Sequence, residues 1–308
     1  MWLNISAYIY INDMVMIMKR QNHTFVKTKM ILRMSFRVFM GLLLFVGLVS
    51  GKPADRPLML KGVVVDEEGK GIAGVVVNNG REFCKTDRRG AWQLSTDTTV
   101  SKFVYISTPR EYRLPEKDGI ASGYYIPVGE AVANRNTNTF RLLRRDSVSD
   151  RFHYIAISDP QILNAHDMKR WRNETMPSIL RTASQLRKTG DVVGMTLGDV
   201  VFDNMNIYPQ YVESIKNHRM TFFQCIGNHD FEKAYADLHN SSVGAERYAE
   251  QMFGRYFGPV NYSFNIGKIH YVVLDDIDCS NYDGTESRNV RPQSSSSSVS
   301  APQSVRYR

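Results

Sequence analysis

Three apolar runs in the later part of the chain each stop on a polar cluster. Phe152–Ile157 ends at Ser158-Asp159-Pro160-Gln161, Val192–Leu197 at Gly198-Asp199, and Met220–Ile226 at Gly227-Asn228-His229-Asp230. Between the first two runs, Met176, Ile179, Leu180, Ala183 and Leu186 recur every three or four residues, one face of a helix that Gly190-Asp191 closes. A further helix is expected over Tyr211 to His218. Strand, helix, strand, helix, strand predicts crossover units with parallel strands. The three clusters then leave the sheet on one edge, where open α/β sheets hold their ligands.

At that edge Asp159, Gln161, Asp199 and Asn228 converge with His229 as an oxygen-rich donor set suited to hard or borderline divalent metals. Gly198-Asp199 supplies the tight turn that a carboxylate shared between two ions needs. Asp203 and Asn204 read as loop or helix-cap residues. His153, His166, His218 and His239 show no ligand spacing and read as surface or satisfied core histidines, and His270, inside a strand, reads as structural. Cys225, inside an apolar strand, reads as a buried thiol.

The ordered set Asp159-Pro160-Gln161, Gly198-Asp199-Val200-Val201-Phe202-Asp203 and Gly227-Asn228-His229-Asp230 resembles the calcineurin-like metallophosphoesterase superfamily over residues 151–278. Tyr262 to Asp275 resembles the hairpin and strand that follow in that family. The resemblance implies two divalent ions of Mn, Fe or Zn: Asp159 and Gln161 on one, Asp199 bridging, Asn228 on the second. Such a pair lies roughly 3.5–4 Å apart, clamps a phosphate and activates water. It also implies His229 as proton donor or charge stabiliser beside the phosphate, with Asp230 orienting its ring. Gln161 stands where the family more often has histidine, so a weaker neutral oxygen replaces a nitrogen ligand. The family's later Gly-His-x-His is missing, since only His239 and His270 follow Asp230. The domain is therefore expected to be truncated or frame-shifted, with weak metal retention and little turnover.

Upstream, residues 58–66 and 74–77 are β-branched runs around a glycine-rich turn and predict a hairpin. Strand signals recur at 91–94 and 103–107, with 139–143 as a last strand, so residues 58–143 predict an antiparallel β-sandwich. Gly62 to Asp66, Gly69, Gly71 to Val75, Thr86-Asp87 and Gly90 resemble carboxypeptidase-regulatory-like and immunoglobulin-like modules. Trp92 reads as core and the module as a spacer, the alternative being glycan or partner binding by exposed Trp92, Tyr124 or Tyr125. The polar stretch 144–150 reads as a linker.

Charge enters the argument only at the amino end. Of 39 Lys and Arg against 31 Asp and Glu, six basic residues and one acid fall in residues 1–51, leaving an excess of +3 for the rest. That is too mild and scattered to propose nucleic acid as partner. Residues 38–49, VFMGLLLFVGLV, are too short to span a bilayer and read as a signal-peptide core ahead of Ser50-Gly51. Residues 1–51 thus form a leader with an over-extended start, Met30 or Met34 giving ordinary proportions, and the chain is expected to be exported to the periplasm or cell envelope. In that compartment Cys84, Cys225 and Cys279, which fall in different elements, predict no disulfide. The serine-rich stretch 279–308 reads as a disordered or out-of-frame tail.

The sequence thus predicts an exported two-domain chain: an all-β sandwich, then an α/β (α+β sandwich type) metallophosphoesterase domain, apparently truncated. Its expected partner is a small phosphate ester or an envelope component, with no membrane span in the mature chain and the oligomeric state open. The rival is a noncatalytic exported envelope-binding protein acting through the β module.

Overall fold

The computed structural model describes residues 58–135, 137–239 and 242–277. The leader with its apolar core at 38–49, the tail from 279 and Cys279 lie outside the described residues.

The first stretch is strand-rich: β1 (Leu58–Val65), β2 (Val76–Asn78), β3 (Phe83–Lys85), β4 (Ala91–Thr96), β5 (Phe103–Ile106), β6 (Glu116–Lys117), β7 (Ile120–Ala121), β8 (Tyr125–Pro127), helix α1 (Val128–Ala133) and β9 (Asn138–Arg141). The hairpin expected from 58–66 and 74–77 does not form. Instead β1 pairs antiparallel with β4 and parallel with β9, while β2 pairs with β3 and β5. The turn between β1 and β2 explains the difference. Asp66 Oδ1 accepts the Glu68 and Lys70 amides, Val65 bridges Gly71, and a Cβ at Gly71 would overlap the Arg89 carbonyl, so the Thr86–Gly90 turn fills the place a hairpin partner would take. The parallel β1–β9 pair likewise departs from a wholly antiparallel sandwich.

The second stretch follows the expected order. It runs β10 (Phe152–Ile157), α2 (Ala165–Arg170), a π-helical turn (Trp171–Thr175), α3 (Met176–Leu186), β11 (Asp191–Leu197), a 3-10 turn (Met205–Ile207), α4 (Tyr208–Ile215), β12 (Thr221–Cys225), α5 (Lys233–His239), α6 (Ser242–Phe257), β13 (Tyr262–Ile266) and β14 (Ile269–Val273). β10, β11 and β12 are adjacent and parallel, and β13 and β14 form a hairpin. α2 starts earlier than the helical periodicity did. Asn164 caps it, its Oδ1 accepting the His166 amide at 2.8 Å and the Asp167 amide at 3.2 Å. Asn164→Ala is expected to cost about 1 kcal/mol in denaturant unfolding.

The period-2 alternation of the strands divides the core. Val192 and Phe222 face the helices, joining Trp171, Tyr208, Tyr211 and Phe253. Val193, Met195 and Phe223 face the other way, into one cluster with Trp92, Tyr124, Phe140, Tyr262 and Phe264. Phe223 stacks on Phe264 with ring centroids 4.1 Å apart, and Tyr124 lies 5.4 Å from Tyr262.

This corrects the separate all-β module. β7 pairs parallel with β12 through Ile120 and Phe222, so β7 and β6 complete the sheet that β10–β12 begin. Thr108 bridges Phe264, and its carbonyl accepts the Asn265 amide at 3.1 Å. The strand-rich stretch shares its core with the central sheet, its inner face packing on Phe223, Tyr262 and Phe264. Stretch 144–150 is strapped down rather than slack: Arg144 donates to Tyr112 Oη and Arg145 pairs with Asp191. Trp92 is core and only 4% exposed. Cys84 and Cys225 are both free thiols. Among the described residues no helix is long and apolar enough to cross a membrane.

Candidate active site

The carboxyl ends of β10, β11 and β12 carry Asp159 and Gln161, Asp199, and Asn228 and His229 to one edge of the sheet. The backbone there is unusual. Asp159, Gln161, Asp199 and Asp203 all adopt left-handed conformations, with φ of +46°, +46°, +49° and +55°. For non-glycine residues each such conformation costs on the order of 1 kcal/mol and concentrates at functional sites, where the surroundings hold it in place. Here the surroundings are backbone hydrogen bonds: Gln161 N donates to Asp199 O at 2.8 Å, Ile162 N to Val200 O, and Asp203 N to His229 O at 2.9 Å. The three loops are laced together before any side chain is counted.

Asp199 lies at the centre. Its Oδ1 accepts the His229 amide at 2.8 Å, and its Oδ2 faces the Gln161 amide nitrogen at 3.3 Å. Gly227 permits this approach, since a Cβ there would overlap Asp199 N and Oδ1. Burial pushes the Asp199 carboxyl above its ordinary range, and the nearby Asp159 charge adds to that rise against the pull of His229 and Gln161. Asp159 is half-buried and accepts from Ser158 Oγ. Asn228 is half-buried too, and among the described residues its side-chain amide makes no hydrogen bond.

The structure pairs the His229 ring with a different carboxylate from the expected one. Nδ1 lies 3.0 Å from Asp203 Oδ1, and the ring stacks on Phe202 with centroids 4.1 Å apart. Asp230 is fully buried and turns its carboxylate to backbone, accepting the Gly227 amide at 2.8 Å and the Val201 amide at 3.2 Å. Burial pushes Asp230 up to about 7, with the Asp199 charge as a second cause. Asp230 therefore braces the loop, while Asp203 orients the imidazole. The expected roles are exchanged because the Gly227 and Val201 amides already hold the Asp230 carboxylate, while Asp203 lies beside the ring. The signal that would have found Asp203 is its spacing, four residues beyond Asp199 and across the same loop edge. Burial lowers the His229 pKa, and the Asp203 hydrogen bond with the charges of Asp199, Asp203 and Asp230 more than offsets it, so the ring titrates above its ordinary value.

Asn204 is a cap as expected, accepting the Asn206 amide. Four histidines outside the edge have local partners: His153 with Thr189, His218 with the Ser214 carbonyl, His239 with the Tyr235 carbonyl and His270 with Asn265. Burial pushes the Cys225 thiol up, which keeps it neutral.

As a donor set, Asp159, Asp199 and the amide oxygens of Gln161 and Asn228 fit a hard divalent cation that keeps some of its waters. A positive ion would relieve the repulsion that raises Asp199, and turning the Gln161 amide would present its oxygen in place of its nitrogen. Among the described residues no three His, Cys, Asp or Glu form a cage for a metal.

Residues 58–145 match the family model described as the N terminal of calcineurin-like phosphoesterase. The strand-rich stretch is thus similar to the amino-terminal region of calcineurin-like phosphoesterases, where its glycine pattern had suggested a carboxypeptidase-regulatory-like spacer. Neither a curated protein nor a solved structure matches the chain.

Proposed function

We propose that this chain is a metal-dependent hydrolase of phosphate mono- or diesters acting at the carboxyl edge of β10–β12. The observation that carries this reading is the meeting of three loops on Asp199, through the 3.3 Å contact of Gln161 and the 2.8 Å hydrogen bond from the His229 amide. The match of residues 58–145 to the phosphoesterase amino-terminal region supports it from a separate part of the chain.

In this reading Asp159, Gln161, Asp199 and Asn228 hold two divalent cations of Mn, Fe or Zn. Bound there, the cations supply Lewis-acid stabilisation of the phosphate and a water of lowered pKa. The chain's own residues do the rest. Asp203 fixes His229 through Nδ1, which leaves Nε2 to face the ester and give a proton to the departing oxygen or balance its charge. Phe202 holds the ring plane and shields one face. Gly227 keeps Asp199 close to the His229 turn. We also place the chain outside the cytoplasm, on the strength of the apolar segment 38–49 alone.

The test is release of nitrophenolate from p-nitrophenyl phosphate and its bis ester with Mn, Zn or Fe added, against a chelator control. Turnover that needs the metal supports the proposal, and turnover indifferent to both chelator and Asp199→Asn overturns it. A second measurement addresses the dyad. Asp203→Asn is expected to lower the His229 pKa in an NMR titration of the metal-free protein, because the charged ring loses a neighbouring negative charge and keeps only a weaker, neutral hydrogen-bond acceptor. The same change is expected to cost about tenfold in turnover through loss of orientation. The sign for stability follows. The paired imidazolium stabilises the fold below the unfolded-state pKa, and that contribution is lost as pH rises through the higher folded-state value.

A further inference from the structure

At the opposite edge of the sheet, where β10, β11 and β12 begin, lies a cleft of about 1180 Å³. Six arginines line it: Arg113, Arg141, Arg145, Arg151, Arg187 and Arg219. Their partners differ in a way that matters. Arg113 pairs with Asp146 and Arg145 with Asp191, so those charges are neutralised. Arg141 reaches only the Asp66 and Glu67 carbonyls, and Arg187 only the His218 and Arg219 carbonyls, at 2.6 and 3.1 Å for the latter pair. A carbonyl satisfies the N–H groups and cancels no charge. Among the described residues the Arg151 and Arg219 guanidiniums meet no acceptor at all. Against these four cations the cleft sets Glu116, whose carboxylate caps the Gly119 amide, and Asp118.

Placement adds to charge. The parallel register sets Phe152 beside Asp191 and Val193 beside Thr221. Arg151 directly precedes β10 and Arg219 lies in the turn two residues before β12, so the two stand on either side of the start of β11. Arg187 pins the turn that presents Arg219, and Asn217 and Arg219 in that turn are both left-handed, with φ of +61° and +54°. Strain held by a second arginine is the pattern of a presented side chain rather than a loose one. Guanidinium forks match the oxygen pairs of phosphate and carboxylate. One tetrahedral anion fills little of this volume and leaves most of the cationic lining unmet.

We propose that this cleft binds a small molecule carrying two or more oxyanion groups, held between Arg151 and Arg219, at a site separate from the carboxylate edge. Tripolyphosphate and citrate are the probes, titrated calorimetrically into the full chain at physiological ionic strength with chelator present to keep metal off the opposite edge. Saturable one-to-one binding of either supports the proposal, and the tighter of the two identifies the group as phosphate or carboxylate. Arg151→Gln with Arg219→Gln is expected to weaken binding at least tenfold, each single change at least threefold. Asp199→Asn, tested because it empties the other edge, is expected to leave binding unchanged, which separates this site from the hydrolytic reading. Should the double variant not fold, the single changes decide. Arg88→Gln with Arg89→Gln, exposed on the distant Thr86–Gly90 turn, reports on charge alone. The proposal is overturned if neither probe saturates, if the Arg88 and Arg89 changes weaken binding equally, or if the loss follows Asp199 instead of the two arginines.

Discussion

Asp199→Asn is expected to lower metal-dependent hydrolysis of p-nitrophenyl phosphate by about a hundredfold to a thousandfold, the range seen when one preorganised electrostatic element of an active site is removed. The argument is local. Asp199 is the side chain on which the loops after β10, β11 and β12 meet, and it takes both the His229 amide and the Gln161 amide group. Asparagine keeps the volume and could still accept from His229, so the fold is retained. What is lost is the negative charge that would hold a cation between Asp159 and Asn228. Circular dichroism matching the wild type, together with kcat reduced in this range, is the expected pair of readings. A fall in stability without a specific fall in kcat would assign Asp199 to structure alone.

Gly227→Ala is expected to lose about 3 kcal/mol or more of stability, at the upper end of overpacking costs. The added methyl would overlap the backbone nitrogen and Oδ1 of Asp199, and neither can retreat. The nitrogen belongs to a left-handed residue tied to Gln161 through its own carbonyl, and the carboxylate is already engaged by His229. Relief requires the β11 and β12 loops to part, which would also carry His229 away from Asp203. Denaturant melts should therefore show a lower midpoint, and any residual hydrolysis should fall with it. A midpoint within a few tenths of a kcal/mol of wild type would mean that the loops are not held as tightly as their hydrogen bonds indicate.

Legibility in the sequence followed the range of the interactions. The parallel order of β10, β11 and β12 and the shared edge of Asp159, Asp199 and Asn228 were readable, because apolar runs and the turns that end them are local features. The helix face from Met176 to Leu186 was readable for the same reason, and it matches α3. Asp203 was passed over as a loop residue because its partner His229 lies beyond an intervening helix and strand. The pairing of β1 with β4 and β9 was missed because a short glycine-rich stretch permits a hairpin and does not require one; Gly71 and Arg89 decide it by contact. The union of the strand-rich stretch with the central sheet was missed for a different reason. Ile120-Ala121 is too short to announce itself as a strand, and its partner Phe222 is about a hundred residues away.

That last pairing bears on how the molecule reaches its native state. β7 can take its place only after β12 exists, so a segment synthesised early must wait for one synthesised late, and Tyr124 beside it waits for Phe223 and Tyr262. Until then the outer rim of β12 is an unpaired ladder of amides and carbonyls, the kind of rim along which polypeptides recruit one another into aggregates. Ribosomal order thus makes this sheet wait for segments about a hundred residues apart to meet, a separation that slows folding.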